Sequence, residues 1–225
     1  MTAALILLLA ACRGEHTEVE ETTAAETARP APAAASSSAQ APAQQGATIV
    51  RRADGTELLS FSESDDETVE LSFTENGTKR SLRGESRESG KRKYQLDGGP
   101  VLFEVKPDDD SDGFKLRNAD GSLRWKVKIA PEKIKISDNE QNANPFELKV
   151  RDGGRFKVVA PGDRELGNVR FDKAASKIEV ETAGGNTLFV VEGSQSSGAY
   201  GVLLLDRIPE VQRYIVLAEI LSRGR

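Results

Sequence analysis

Residues 210–222, EVQRYIVLAEILS, constrain the fold more than any other stretch. Pro209 suits the first turn of a helix, Glu210 complements the helix dipole, and Arg223 with Gly224 marks the end. Between them Val211, Tyr214, Ile215, Val216, Leu217, Ala218, Ile220 and Leu221 cover nearly the whole circumference, leaving a narrow polar stripe at Gln212 and Glu219. A helix on a protein surface shows a much wider polar face. At a rise of about 1.5 Å per residue this helix is about 20 Å long, too short to span a bilayer, so burial within protein is expected. The preceding run Val202-Leu203-Leu204-Leu205 reads as a central strand feeding into it.

After residue 47 the chain changes to an alternation of apolar and polar residues with period two, the pattern of half-buried strands. Leu123, Trp125, Val127 and Ile129 show it, as do Ile134 and Ile136, then Phe146, Leu148 and Val150, then Phe156 and Val158, then Ile178 and Val180. Hairpin turns are signalled between these runs by Asp54-Gly55, Asn76-Gly77, Asp120-Gly121, Asp152-Gly153-Gly154 and Gly184-Gly185-Asn186. About a dozen short antiparallel strands follow, which at this spacing means a mainly β domain over 48–225, either a sandwich or a closed barrel.

The succession of strand, Asp-Gly turn and strand in GFKLRNADGSLRWKVK, followed by a hydrophobic C-terminal helix, resembles the tubby-like superfamily. That superfamily includes the phospholipid scramblases and the plant LURP-one-related proteins. The resemblance covers residues 48–223 and is clearest from 100 onward. It implies an antiparallel barrel of about a dozen strands around the C-terminal hydrophobic helix. For function it implies little, because the superfamily hosts membrane binding and proposed lipid movement, and a fold does not fix an activity.

The N-terminus speaks to location. Leu5-Ile6-Leu7-Leu8-Leu9-Ala10-Ala11 is far too short for a membrane span but matches the apolar core of a secretory signal. Leu9-Ala10-Ala11-Cys12 resembles the bacterial lipoprotein box, which implies a signal peptide over 1–11, lipidation of Cys12, and a protein held at the bacterial cell envelope by its acyl chains. Met1 to Ala4 carry no Lys or Arg, which leaves an upstream start open. An ordinary signal peptide with an incidental Cys is the alternative. Residues 12–47 are rich in Glu, Thr, Ala, Pro, Ser and Gln and cannot bury enough apolar area to offset their chain entropy, so they read as a disordered tether.

Composition excludes several chemistries. Cys12 is the single cysteine and His16 the single histidine, so the folded part holds no disulfide, no Cys/His zinc site and no catalytic pair built on histidine. With 36 Asp and Glu against 31 Lys and Arg, and 5% aromatic residues, the chain has neither the basic field nor the stacking platforms of a nucleic-acid binder. No glycine loop sits between a strand and a helix to cradle a phosphate.

Two stretches are candidate sites. In DDDSDG, Asp108, Asp110 and Asp112 followed by Gly113 match the first half of an EF-hand calcium loop. The twelfth position, which needs a bidentate Glu, is Ala119, and the flanking helices are missing. A calcium-binding hairpin loop and a solvated acidic turn are the two readings, and the second is preferred. The other candidate is basic. Lys115, Arg117, Arg124, Lys126, Lys128, Lys133 and Lys135, continued by Lys149, Arg151, Arg155 and Lys157, alternate with the apolar positions and are expected on one outward face with few carboxylates. Such a face fits anionic lipid headgroups or an acidic envelope polymer, and it equally fits ordinary solubility and protection against edge pairing. Glu132, Glu147, Glu165, Glu179 and Glu181 leave carboxylate hydrolysis as a remote third class. The resulting expectation is a non-catalytic binding or structural lipoprotein, needing no cofactor, with a scramblase-like lipid handler as the alternative.

Overall fold

The structure is a computed structural model and describes residues 47–109, 111–192 and 197–224. The expected signal peptide, Cys12, His16 and nearly all of the expected tether lie outside the described residues.

Fourteen strands are described: β1 (Thr48–Arg52), β2 (Glu57–Glu63), β3 (Val69–Glu75), β4 (Thr78–Arg87), β5 (Lys91–Leu96), β6 (Val101–Pro107), β7 (Phe114–Asn118), β8 (Leu123–Ala130), β9 (Lys133–Ser137), β10 (Phe146–Arg151), β11 (Arg155–Ala160), β12 (Arg164–Asp172), β13 (Lys177–Thr182) and β14 (Thr187–Glu192). Each pairs antiparallel with the next, and β1 pairs with β14 through Val50↔Val191, which closes the barrel. Closure removes the sheet edges that would otherwise template aggregation. The local turn chemistry agrees with the topology. Asn76 and Gly77 both take positive φ, 50° and 78°, and join Glu75 to its partner Thr78, the two-residue hairpin that an Asn-Gly pair encodes.

Alternation sorts the side chains. Leu59, Leu71, Leu82, Tyr94, Val105, Leu116, Val127, Ile136, Leu148, Val158, Ile178 and Val191 are buried as a continuous inner layer. Outward positions such as Lys133 and Lys135 on β9 or Glu179 and Glu181 on β13 are charged, the reverse of the apolar outer band of a membrane-spanning barrel.

Eight strands give a barrel whose interior side chains fill it, and fourteen leave a lumen to be occupied. A C-terminal hairpin of helices occupies it. After β14 the chain enters as a 3₁₀ segment (Gly198–Leu204) against β10 to β13, turns, and returns as α1 (Glu210–Ser222). Ile215, Val216, Leu217, Ala218 and Ile220 of α1 are almost fully buried, and Tyr214 packs its ring 5.2 Å from that of Phe73 on β3.

Val202–Leu205, expected as a central strand, is the correction to the sequence reading. The barrel is already closed by β1 and β14, so no edge is left for another strand, and the segment must satisfy its backbone within itself. Gly198 and Gly201 make this possible. A Cβ at Gly198 would lie 2.3 Å from the Phe156 ring, and one at Gly201 would lie 2.7 Å from Val158, so only glycine lets the segment lie flat on β11. The narrow polar stripe of α1 is buried with the rest of the helix: Gln212 and Glu219 meet polar groups of the barrel wall.

Candidate functional site

The wall carries polar side chains that match α1. On β5 the alternation places Arg92 in phase with Tyr94 and therefore in the lumen. Arg92 Nη1 donates to Glu219 Oε1 at 2.8 Å and to Ser222 Oγ at 3.2 Å. Its Nη2 donates to Glu63 Oε1 at 3.1 Å and to the Glu67 carbonyl at 2.9 Å. The Tyr94 hydroxyl donates to Glu219 Oε1 at 2.6 Å, and Arg223 donates to Glu219 Oε2. Glu219 has no exposed surface, so its charge is held wholly by these donors. Burial pushes the Tyr94 hydroxyl well above its ordinary value, and the adjacent Glu219 carboxylate adds to that. Burial also raises Glu63; Arg92 opposes the rise and Glu219 supports it. Arg223 lies 4.8 Å over the Phe114 ring. A polar crevice of about 320 Å³ lined by Glu63, Glu67, Arg92 and Arg223 opens beside the cluster. Both Glu219 oxygens are engaged, so this cluster fastens the end of α1 to β5. Sequence reasoning missed it, although an arginine in phase with inward Tyr94 and Leu96 was a readable signal. Further along α1, Trp125 Nε1 donates to Gln212 Oε1 at 2.7 Å.

The acidic stretch lies in the turn between β6 and β7. Asp108 is 5% exposed. It accepts from Ser111 Oγ at 2.8 Å and pairs with Lys115 at 3.5 Å and Lys126 at 3.6 Å. Burial works to raise its carboxyl, but the Ser111 hydrogen bond and the charges of Lys126 and Lys115 outweigh that and hold it below the ordinary value. Asp112 is exposed, and Asp110 lies outside the described residues. Among the described residues no group of three or more His, Cys, Asp or Glu could hold a metal ion.

The basic face departs from expectation in two ways. Lys126 is buried, not outward-exposed, because the loop between β9 and β10 closes over it: its Nζ donates to the Glu140 carbonyl at 3.2 Å while Asp108 pairs with it from the other side. The face also carries more carboxylates than expected. Glu140 pairs with Lys115 at 3.0 Å and Arg117 at 2.7 Å, Glu147 with Lys149 at 2.6 Å and Lys135 at 3.6 Å, and Glu165 with Lys157 at 2.6 Å. Arg124 donates to Asn118 Oδ1 at 2.8 Å. Among the described residues Lys128, Lys133, Arg151 and Arg155 make no ion pair.

Register stacks the cations. Lys149 lies between Lys133 and Lys157 on neighbouring strands, and Arg155 between Arg151 and Arg170. Like charges directly opposite destabilise a sheet; Glu147, Glu165 and the Glu179/Glu181 pair offset this by pairing with Lys149, Lys157 and Arg170, and the cations without an ion pair are the ones left uncompensated. They gather at one end of the barrel, around the β8–β9 and β10–β11 turns, where Glu132 and Asp152 are the nearest carboxylates in sequence and are outnumbered. Of the five glutamates considered for hydrolysis, Glu147, Glu165, Glu179 and Glu181 are ion-paired on the outer face, and Glu132 sits in the exposed β8–β9 turn. Compared with known proteins, the chain matches no family model, no curated protein and no solved structure.

Proposed function

We propose that this chain is a cell-envelope lipoprotein, anchored through Cys12 and a tether, whose barrel binds an anionic surface without catalysis. The observation that carries the reading is the gathering of Lys133, Arg151 and Arg155, none of them in an ion pair among the described residues, at one end of the outer face of β9 to β11, with Arg151 directly opposite Arg155. The lumen supports it, because most of the interior is taken up by the barrel's own C-terminal hairpin. Kinship with the tubby-like superfamily finds its support in the closed antiparallel barrel threaded by a C-terminal helix. Among the described residues no helix is long and apolar enough to cross a membrane, so the anchor falls to Cys12 in this reading.

Sedimentation with vesicles tests it. Binding to vesicles containing anionic lipid, absent with neutral lipid and weakening as salt rises, is the expected result. Replacing Lys133, Arg151 and Arg155 together by Glu abolishes it; binding that survives this change overturns the reading. Cys12→Ala releases the protein from cell membranes, and retention after export refutes the anchor.

A further inference from the structure

The lumen is not filled evenly. Between the start of the 3₁₀ segment and the inward-facing Ile129, Ile134, Leu148 and Phe156 lies a cavity of about 140 Å³. It opens at the barrel end where the unpaired cations gather. Val150, cross-strand partner of Phe156, is 41% exposed, so the apolar lining reaches solvent. Lys133 stands at the opening among the lining residues. Arg151 and Arg155 are next in sequence to Val150 and Phe156.

We propose that this opening is a ligand site for one aliphatic chain ending in a carboxylate or phosphate, with the chain in the cavity and the head against Lys133. The location of the head group rests on the cation-rich face of the preceding reading; the chain specificity rests on the cavity alone. An apolar cavity gives water few partners, so an alkyl chain is its natural occupant. At roughly 30 Å³ for a group the size of a water molecule, the space takes on the order of five carbons. A free amphiphile and an acyl chain lifted from a membrane share this chemistry, and the two sources are separated by the experiment.

The test is a titration of the purified chain with n-alkyl carboxylates of four to ten carbons, kept below their aggregation limits and followed by methyl NMR of Ile129, Ile134 and Leu148. Affinity is expected to rise about fourfold per methylene, the factor corresponding to about 0.8 kcal/mol per buried CH₂, and to level off once the cavity is full. Val150→Asp, at an exposed position that leaves thermal stability unchanged, lowers octanoate affinity by at least about tenfold. Lys133→Ala weakens octanoate but leaves octanol unaffected. Anionic vesicles are titrated in parallel. Vesicle binding without any dependence on carboxylate chain length overturns the cavity proposal and leaves the charged-face reading intact. Chain-dependent binding of monomers without vesicle binding supports the cavity as a site for free amphiphiles and overturns the surface reading. Chain-dependent binding of monomers together with vesicle binding supports both. Silence in both arms overturns both.

Discussion

Replacing Arg92 by Met tests the fastening of α1 to the wall. Arg92 is 8% exposed and Glu219 has no exposed surface, so the substitution leaves a fully buried carboxylate with Arg223 as its remaining cation and Tyr94 as its remaining neutral donor. Breaking a buried ion pair from one side costs about 3–5 kcal/mol, because the stranded charge stays desolvated. For a domain of this size each kcal/mol moves the melting temperature by about 2–4 °C, so a fall of roughly 6–20 °C is expected. Glu219→Gln keeps the shape, removes the charge and costs less. In the double variant the stranded charge is gone, so its loss is smaller than the sum of the two by at least about 1 kcal/mol. Urea unfolding followed by tryptophan fluorescence suits the question, because Trp125 is the single tryptophan and its Nε1 is bonded to Gln212 of α1. An Arg92→Met protein within about 1 kcal/mol of the parent, or strictly additive losses in the cycle, would refute the assignment.

Gly201→Val forces a side chain into the space held by Val158 and Leu148; a loss of about 1–3 kcal/mol in urea titration is expected, and an unchanged midpoint contradicts the close approach of the 3₁₀ segment. Glu140→Ala frees Arg117 and leaves Lys115 with Asp108 as its one acidic partner among the described residues, so binding to anionic vesicles strengthens and grows more salt-sensitive, while stability moves by less than about 1 kcal/mol; unchanged binding argues that these cations lie off the contact face. Asp108 has a folded pKa below its ordinary 3.8, so the folded chain takes up its proton less readily than the unfolded chain. Its stabilisation is present above about pH 4 and is lost as pH falls through the lower folded value. Asp108→Asn therefore flattens that part of an acid-unfolding curve, and an unaltered profile refutes the coupling to Lys115 and Lys126.

The wall of the barrel was legible because its information is local. Alternation at Trp125, Val127 and Ile129, and the Asn-Gly pair at 76–77, each specify structure within a few residues. The 3₁₀ segment was not legible, because an unbroken apolar run has no period to read, and only closure by β1 and β14 denies it a strand partner. Burial of α1 was read correctly from its apolar girth. The fate of its polar stripe depended on Arg92 and Tyr94 more than a hundred positions away. Outward placement of Lys and Arg followed from alternation, whereas neutralisation of Lys115 and Arg117 by Glu140, and of Lys126 by Asp108, came from loops whose paths no periodicity encodes.

Because the plug that fills the lumen follows all fourteen strands in the chain, the order of synthesis sets the order of assembly. Neighbouring strands can pair as they emerge, each hairpin closing over a short distance in sequence. Their inner faces, however, stay without a partner until residues 198–222 exist, and the seam between Val50 and Val191 forms late. An open, twisted sheet with an apolar face and two free edges is the species most prone to aggregate. A chain interrupted before Gly198 should therefore be captured by chaperones or degraded, and residues 198–224 supplied as a separate peptide should rescue its solubility. The helical hairpin is both the core of the finished barrel and the piece whose arrival lets the fourteen strands close.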